Sequence, residues 1–279
     1  MNEKVGILHP GQMGISVAAS VKNGGFDVMW ASEGRSELTR GRAESQNLED
    51  VQTLKNICNE CSILLSVCPP SAALDLAGAV ASNGFQGLYL DANAISPDHT
   101  RQIKDIMESC GATFVDGGII GGPAWKPGTT WLYLSGTDVD RIEKIFSSGP
   151  IETDVISCEV GHASALKMCF AAYTKGSTAL LCAILAVAEE LGVRSALEQQ
   201  WSRGGSDFTI KTHQQVQGVT AKAWRFEGEM KEISDTFEDV GIPGGFHQAA
   251  ASIYARLVIF KGANEVPVLD KILDALLEG

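Results

Sequence analysis

The chain has 279 residues, 44% hydrophobic and 20% charged, with a formal net charge of -12. That length buries a sizeable core and suits two domains, while the acidic balance argues against a nucleic acid or an anionic membrane surface as partner, since both would repel the molecule. Seven cysteines, an odd count scattered through predicted strands and helices, read as reduced thiols, and the lack of a basic or apolar leader ahead of the first strand predicts a soluble cytoplasmic protein.

Val5 to Leu8 is an apolar run that predicts a buried strand, and His9-Pro10-Gly11-Gln12-Met13-Gly14 predicts a tight turn into a helix. In that setting Gly11 lets backbone approach a phosphate, Gly14 lets the helix pack on the strand, and the helix start offers unpaired N–H groups. The stretch therefore predicts a dinucleotide site, with His9, Pro10, Gly11, Gln12, Met13 and Gly14 around the pyrophosphate. Against the G-x-G-x-x-G pattern, His9 stands in place of the first glycine. A second strand, Phe26 to Trp30, leads into Ala31-Ser32-Glu33-Gly34-Arg35-Ser36. A carboxylate here would take the ribose diol of NAD, whereas Ser32, Arg35 and Ser36 suit a 2′-phosphate; NADP is expected ahead of NAD, with Glu33 the dissenting residue.

Further strands are predicted at Ile63 to Val67, Gly87 to Leu90, Thr113 to Val115 and Trp131 to Leu134, with helices between most of them. Such alternation predicts an α/β Rossmann domain, a parallel doubly wound sheet whose ligands gather at the carboxyl ends of the strands. The loops Cys68-Pro69-Pro70 and Asp91-Ala92-Asn93 are expected over the nicotinamide half of the cofactor. Asn93 suits either a bond to a substrate oxygen or nicotinamide amide, or a helix cap. Cys58-x-x-Cys61 is expected to pack in the core rather than hold a metal, and no metal is expected elsewhere. Asp116-Gly117-Gly118-Ile119-Ile120-Gly121-Gly122-Pro123 reads as a glycine-rich loop whose backbone, at Gly121 and Gly122, can approach a substrate.

Gly161 opens a long apolar helix running to about Leu191. Its longest apolar run, Thr178 to Ala188, is too short to span a bilayer. Lys167, Phe170, Ala171, Thr174 and Lys175 share one face, with small residues between two ammonium groups, and buried helices rarely carry lysines without purpose. That face predicts a pocket with Thr174 and Lys175 as substrate contacts. From Ser195 onward helical periodicity dominates, so the expected division is a cofactor domain at 1–158 and an all-α domain at 159–279.

Taken together, the Gly11-Gln12-Met13-Gly14 turn, the Asp116 to Gly122 stretch and the segment Gly161 to Lys167 resemble, in order and over essentially the whole chain, the β-hydroxyacid dehydrogenase and 6-phosphogluconate dehydrogenase superfamily. In particular the chain resembles its branch with a "phosphogluconate dehydrogenase, NAD-binding, putative-like" C-terminal domain. The resemblance implies a Rossmann domain, a long interdomain helix, a helical substrate and dimerisation domain, and a homodimer. It makes Lys167 the catalytic residue and implies hydride transfer between C4 of the nicotinamide and a carbonyl or hydroxyl carbon. Ile120 stands where the superfamily has a substrate serine, Ala171 where it has an asparagine, and Gly228 where a cofactor-side lysine is common. An imine reductase and a non-catalytic NADP-binding module are the two alternatives these residues leave open.

Overall fold

The computed structural model describes residues 3–263 and 265–278. The chain divides into two compact units, Met1–Met168 and Cys169–Gly279.

In the first unit, β1 (Lys4–Ile7), α1 (Gln12–Asn23), β2 (Asp27–Trp30), α2 (Glu37–Ser45), β3 (Glu49–Asp50), α3 (Leu54–Glu60) and β4 (Ile63–Ser66) are followed by α4 (Ala73–Ser82), β5 (Leu88–Asp91) and α5 (Pro97–Ser109). Then come β6 (Thr113–Gly121), β7 (Thr130–Ser135), α6 (Val139–Phe146), β8 (Glu152–Ser157) and the start of α7 (His162–Glu190). The strands form one sheet in the order β3-β2-β1-β4-β5-β6-β7-β8, parallel throughout except for the antiparallel pair β6 and β7. Strand order reverses beside β1, which places the switch point of a doubly wound sheet at the end of the first strand. Val5, Ile7, Ile63, Leu65, Leu88 and Leu90 are fully buried, because helices cover both faces and central strands can then be apolar without alternation. One layer packs Ile15, Val17, Val21, Ile142 and Phe146 on the sheet, and the other packs Ile57, Ala77, Val80, Ile103 and Met107.

Two sequence expectations change here. The predicted glycine-rich loop is the second half of β6, with Gly117 opposite Leu134 and Ile119 opposite Leu132. A Cβ on Gly117 would stand 2.9 Å from Leu90 Cδ1 and 3.1 Å from the Asp91 carbonyl oxygen, so these glycines are there for close packing within the sheet rather than for a turn. The edge strands β3 and β8 were not foreseen; they are mostly exposed and lack an apolar run. Cys58 and Cys61 are buried, and burial pushes their thiols up to about 11 and about 12.

In the second unit the rest of α7 is joined by α8 (Arg194–Trp201), α9 (Phe208–Val219), α10 (Ala223–Glu238), α11 (Gly245–Arg256) and α12 (Leu269–Glu278). Met230, Ile233, Leu257, Ile272 and Leu273 form its interior. The Tyr254 hydroxyl donates to the Lys175 carbonyl at 2.7 Å, and the Phe226 ring meets Tyr254 edge-on at 5.4 Å. As a whole, α7 is long and apolar enough to cross a bilayer, which its uninterrupted run Thr178 to Ala188 alone is not.

Candidate active site

The turn after β1 is closed by the Gly11 N–H donating to the His9 carbonyl at 2.8 Å. A Cβ on Gly14 would lie 2.1 Å from that same carbonyl oxygen, so α1 can approach the turn this closely only with glycine there. Among the described residues no side chain caps α1, and no acidic residue lies in its first turn, so its N-terminal dipole is uncompensated and would favour an anion. Met13 is partly buried and Gln12 exposed.

His9 occupies the place of a glycine by pairing with Arg35. Arg35 Nη1 lies 2.9 Å from His9 Nδ1, and Nη2 donates to the Leu8 carbonyl at 2.9 Å. Burial first, then the Arg35 and Arg42 charges, lower the imidazole pKa and favour the neutral ring that can accept from a guanidinium. Arg35 Nε is buried without a hydrogen-bond partner among the described residues. Arg35 thus leans over the cofactor turn, while Ser32 is buried and Ser36 caps α2 by accepting from the Thr39 N–H. Glu33 is exposed.

The loops after β4 and β5 are joined by Asn93, which is almost wholly buried. Its Oδ1 accepts from the Cys68 N–H at 2.6 Å, and its Nδ2 donates to Ser66 Oγ at 2.9 Å and Asp91 Oδ2 at 2.8 Å. Both amide donors are committed inside the protein, so Asn93 shapes the loop that carries Cys68, Pro69 and Pro70. Asp91 is itself buried, and its carboxyl is raised to about 7, chiefly by burial. Cys68 is raised to about 12, again mainly by burial.

Lys167 lies on α7 where the helix crosses β6. Its Nζ donates to the Ile119 carbonyl at 2.6 Å, and burial draws the ammonium down to about 8. Gly121 and Gly122 are exposed at the end of β6, with Gly121 at φ 123 and packed against the Thr129 carbonyl. The next residues are tied back to α1, because the Ala124 N–H donates to Ser16 Oγ at 2.9 Å. In the second unit, the Lys175 ammonium pairs with the Glu229 carboxylate and lies 4.5 Å from the centre of the Phe226 ring; Thr174 donates to the Phe170 carbonyl. The sequence reading missed Asp116, Ser135 and Ser164, which meet at the start of α7. Their only signal was a carboxylate ahead of a glycine-rich strand.

The sheet, its switch point and the glycine turn define an NAD(P)-binding fold of the hydroxyacid dehydrogenase type. The chain belongs to the family described as "NAD binding domain of 6-phosphogluconate dehydrogenase", which matches residues 4–148; residues 188–257 match a "Domain of unknown function (DUF1932)". An uncharacterised 28.5 kDa protein of Methanothermus fervidus is 28% identical over 231 residues, 82% of this chain and 89% of that protein. A solved conserved protein of unknown function, described as structurally similar to 3-hydroxyacid dehydrogenases, is 28% identical with a TM-score of 0.67, covering 92% of this chain and 97% of its own. The Mycobacterium tuberculosis 3-hydroxyisobutyrate dehydrogenase, solved with L-serine, shares the fold at 16% identity and a TM-score of 0.71, covering 99% of each chain. An imine reductase from Myxococcus stipitatus in complex with NADP+ shares it at 17% identity and a TM-score of 0.58, covering 98% of this chain and 99% of its own.

Proposed function

We propose that the protein is an NADP(H)-dependent oxidoreductase that moves a hydride to or from a small hydroxyacid- or aldehyde-type substrate, with Lys167 as acid and base. The observation that carries this reading is Lys167 itself, an amine brought near neutrality by burial and held against a β6 carbonyl in a chain of a dinucleotide-binding family. The uncapped start of α1, and the orphaned Nε of Arg35, whose other guanidinium nitrogens contact His9 and the Leu8 carbonyl, fit a phosphate-bearing cofactor. Gly11, Gly14 and the start of α1 would hold the pyrophosphate, and Ser32, Arg35 and Ser36 would take the 2′-phosphate. When bound, the nicotinamide supplies or accepts the hydride.

Lys167 handles the proton. As an ammonium it donates to the oxygen of a carbonyl being reduced; as an amine it takes the proton of a hydroxyl being oxidised. A pKa near 8 makes both forms accessible close to neutral pH. The Ile119 carbonyl fixes Nζ in both states, and burial limits exchange of the proton with water. Lys167→Ala is expected to bind NADPH normally and to lose turnover by roughly 10²–10⁴-fold. Unchanged turnover ends the assignment.

The fold shared with an imine reductase favours a second reading, reduction of C=N, which product analysis with imines against aldehydes and 3-hydroxy acids separates. Ile120 and Ala171, in place of the superfamily's serine and asparagine, favour a non-catalytic NADP-binding module, and that reading requires NADPH binding with no turnover on any substrate. We assign α7 to protein packing rather than to a membrane, because both of its lysines are engaged within the fold. Phe170, Tyr173, Leu180 and Val187 are exposed along a seam of three- and seven-residue spacing, which supports a homodimer through this helix.

A further inference from the structure

The start of α7 is tied to the sheet by buried polar groups that neither the cofactor turn nor the chemistry of Lys167 requires. No acidic residue lies in the helix's own first turn. Instead Asp116 on β6, fully buried, accepts through Oδ2 from the Gly161 N–H at 2.9 Å and the Ser164 N–H at 3.1 Å, and through Oδ1 from the Ser164 hydroxyl at 2.6 Å. Ser135 on β7 donates to Asp116 Oδ2 at 2.8 Å and accepts from the Ala163 N–H at 3.1 Å. The Thr100 hydroxyl on α5 lies 2.8 Å from that of Ser164. Three of the four orphan N–H groups at the start of this helix are thus satisfied from two strands.

Two more contacts lie along the same line. A Cβ on Gly118 would stand 2.5 Å from the Ala163 carbonyl oxygen and 3.3 Å from Lys167 Cβ, so the helix rides directly on the strand. One residue further, the Ile119 carbonyl receives Lys167 Nζ. Ser164 and Lys167, three residues apart, lie on the same helix face. Asp116, Gly118 and Ile119 therefore meet α7 in sequence, from its first turn to the reactive amine.

We infer that Asp116 is a positioning residue for Lys167: with Ser135 and Ser164 its carboxyl group fixes the placement of α7 on β6, so that the lysine ammonium meets the Ile119 carbonyl where water reaches it only in part. The catalytic meaning of this arrangement rests on the role of Lys167 proposed above, whereas the arrangement itself does not. Burial is the cause of the low lysine pKa, so loosening the helix start admits water to Nζ and returns the amine toward its ordinary range. Removing a negative charge alone would move it the other way.

The test is competitive labelling of the Lys167 amine in the full chain with trace acetic anhydride, from about pH 6 to about pH 11, read by peptide mass spectrometry. The wild type is expected to titrate near 8, and Asp116→Asn and Ser164→Ala about one pH unit or more higher. Ser234→Ala, which removes another buried hydroxyl, one donating to the Gly244 carbonyl in the second unit, is expected to lose stability and keep the wild-type titration. If Asp116→Asn does not fold, Ser164→Ala carries the test, since it leaves the backbone bonds to Asp116 in place. An unchanged or lower value in the folded variants, or a wild-type Lys167 in the ordinary lysine range, overturns the inference. A raised value in a protein that turns over no substrate supports the positioning role and removes only the catalytic reading.

Discussion

Gly14→Ala tests the cofactor turn at its tightest point. The new methyl would lie 2.1 Å from the His9 carbonyl oxygen, more than about 1 Å short of an ordinary contact, and that oxygen belongs to the backbone, so it cannot swing away as a side chain would. The oxygen is held by the Gly11 N–H, and Gly14 sits in the first turn of α1, so relief requires opening the turn or tilting the helix. Overpacking of this kind costs about 1–3 kcal/mol, offset in part by the gain of about 1 kcal/mol that alanine brings to a helix interior. Gly41 and Gly78, in α2 and α4, have open space where a Cβ would go, and Gly41→Ala and Gly78→Ala should stabilise by about 0.5–1 kcal/mol. Urea denaturation reads the stability of all three variants, and nicotinamide fluorescence reads their NADPH affinity. Gly14→Ala should bind NADPH at least about tenfold more weakly, because about 1.4 kcal/mol of lost phosphate contact suffices for that. A Gly14→Ala protein with wild-type stability and affinity would refute the reasoning.

Arg35→Ala should weaken NADPH binding by roughly ten- to a hundredfold, the value of one charged hydrogen bond, and weaken NADH binding much less; equal losses in paired titrations would leave Arg35 only its brace on His9 and Leu8. Asp91 gives a pH dependence with a definite sign. Its carboxyl is raised in the folded protein from 3.8 to about 7, so its contribution is fully present below about pH 4 and is lost as pH rises through 7. Denaturant midpoints of the wild type should therefore fall across that window relative to those of Asp91→Asn, whose side chain does not titrate; parallel midpoints would contradict the assignment.

What the sequence shows depends on where the physical constraint lies. β1, β4 and β5 are legible because central strands of a doubly wound sheet are apolar on both faces, and Gly11 and Gly14 are legible because a tight turn constrains neighbours along the chain. β3 consists of two exposed carboxylates, and β8 is mostly exposed, so neither has an apolar pattern to find. β6 is half hidden: Gly117 and Gly118 look like a loop, yet they are strand positions where Leu90 and the α7 backbone leave no room for a side chain. The same holds for the candidate site. Lys167 stands out as a lysine in an apolar helix, while Asp116 finds its partners 45 and 48 residues later, beyond any local pattern. Arg35 reads in the sequence as an arginine suited to a 2′-phosphate, and its contact with His9 depends on the ring that stands in place of the first glycine, a partner 26 residues away.

The capping of α7 from β6 and β7 also bears on the order in which the molecule comes together. A helix whose first turn is completed by groups 28 to 48 residues earlier gains little from starting there, so its nucleus belongs further along the apolar stretch. During synthesis the two strands leave the ribosome first and wait for the helix that they will cap. Until that docking, Lys167 is an ordinary, fully protonated side chain in water. The near-neutral amine comes into being only when the sheet is finished, and a half-folded chain lacks the acid and base proposed for this position.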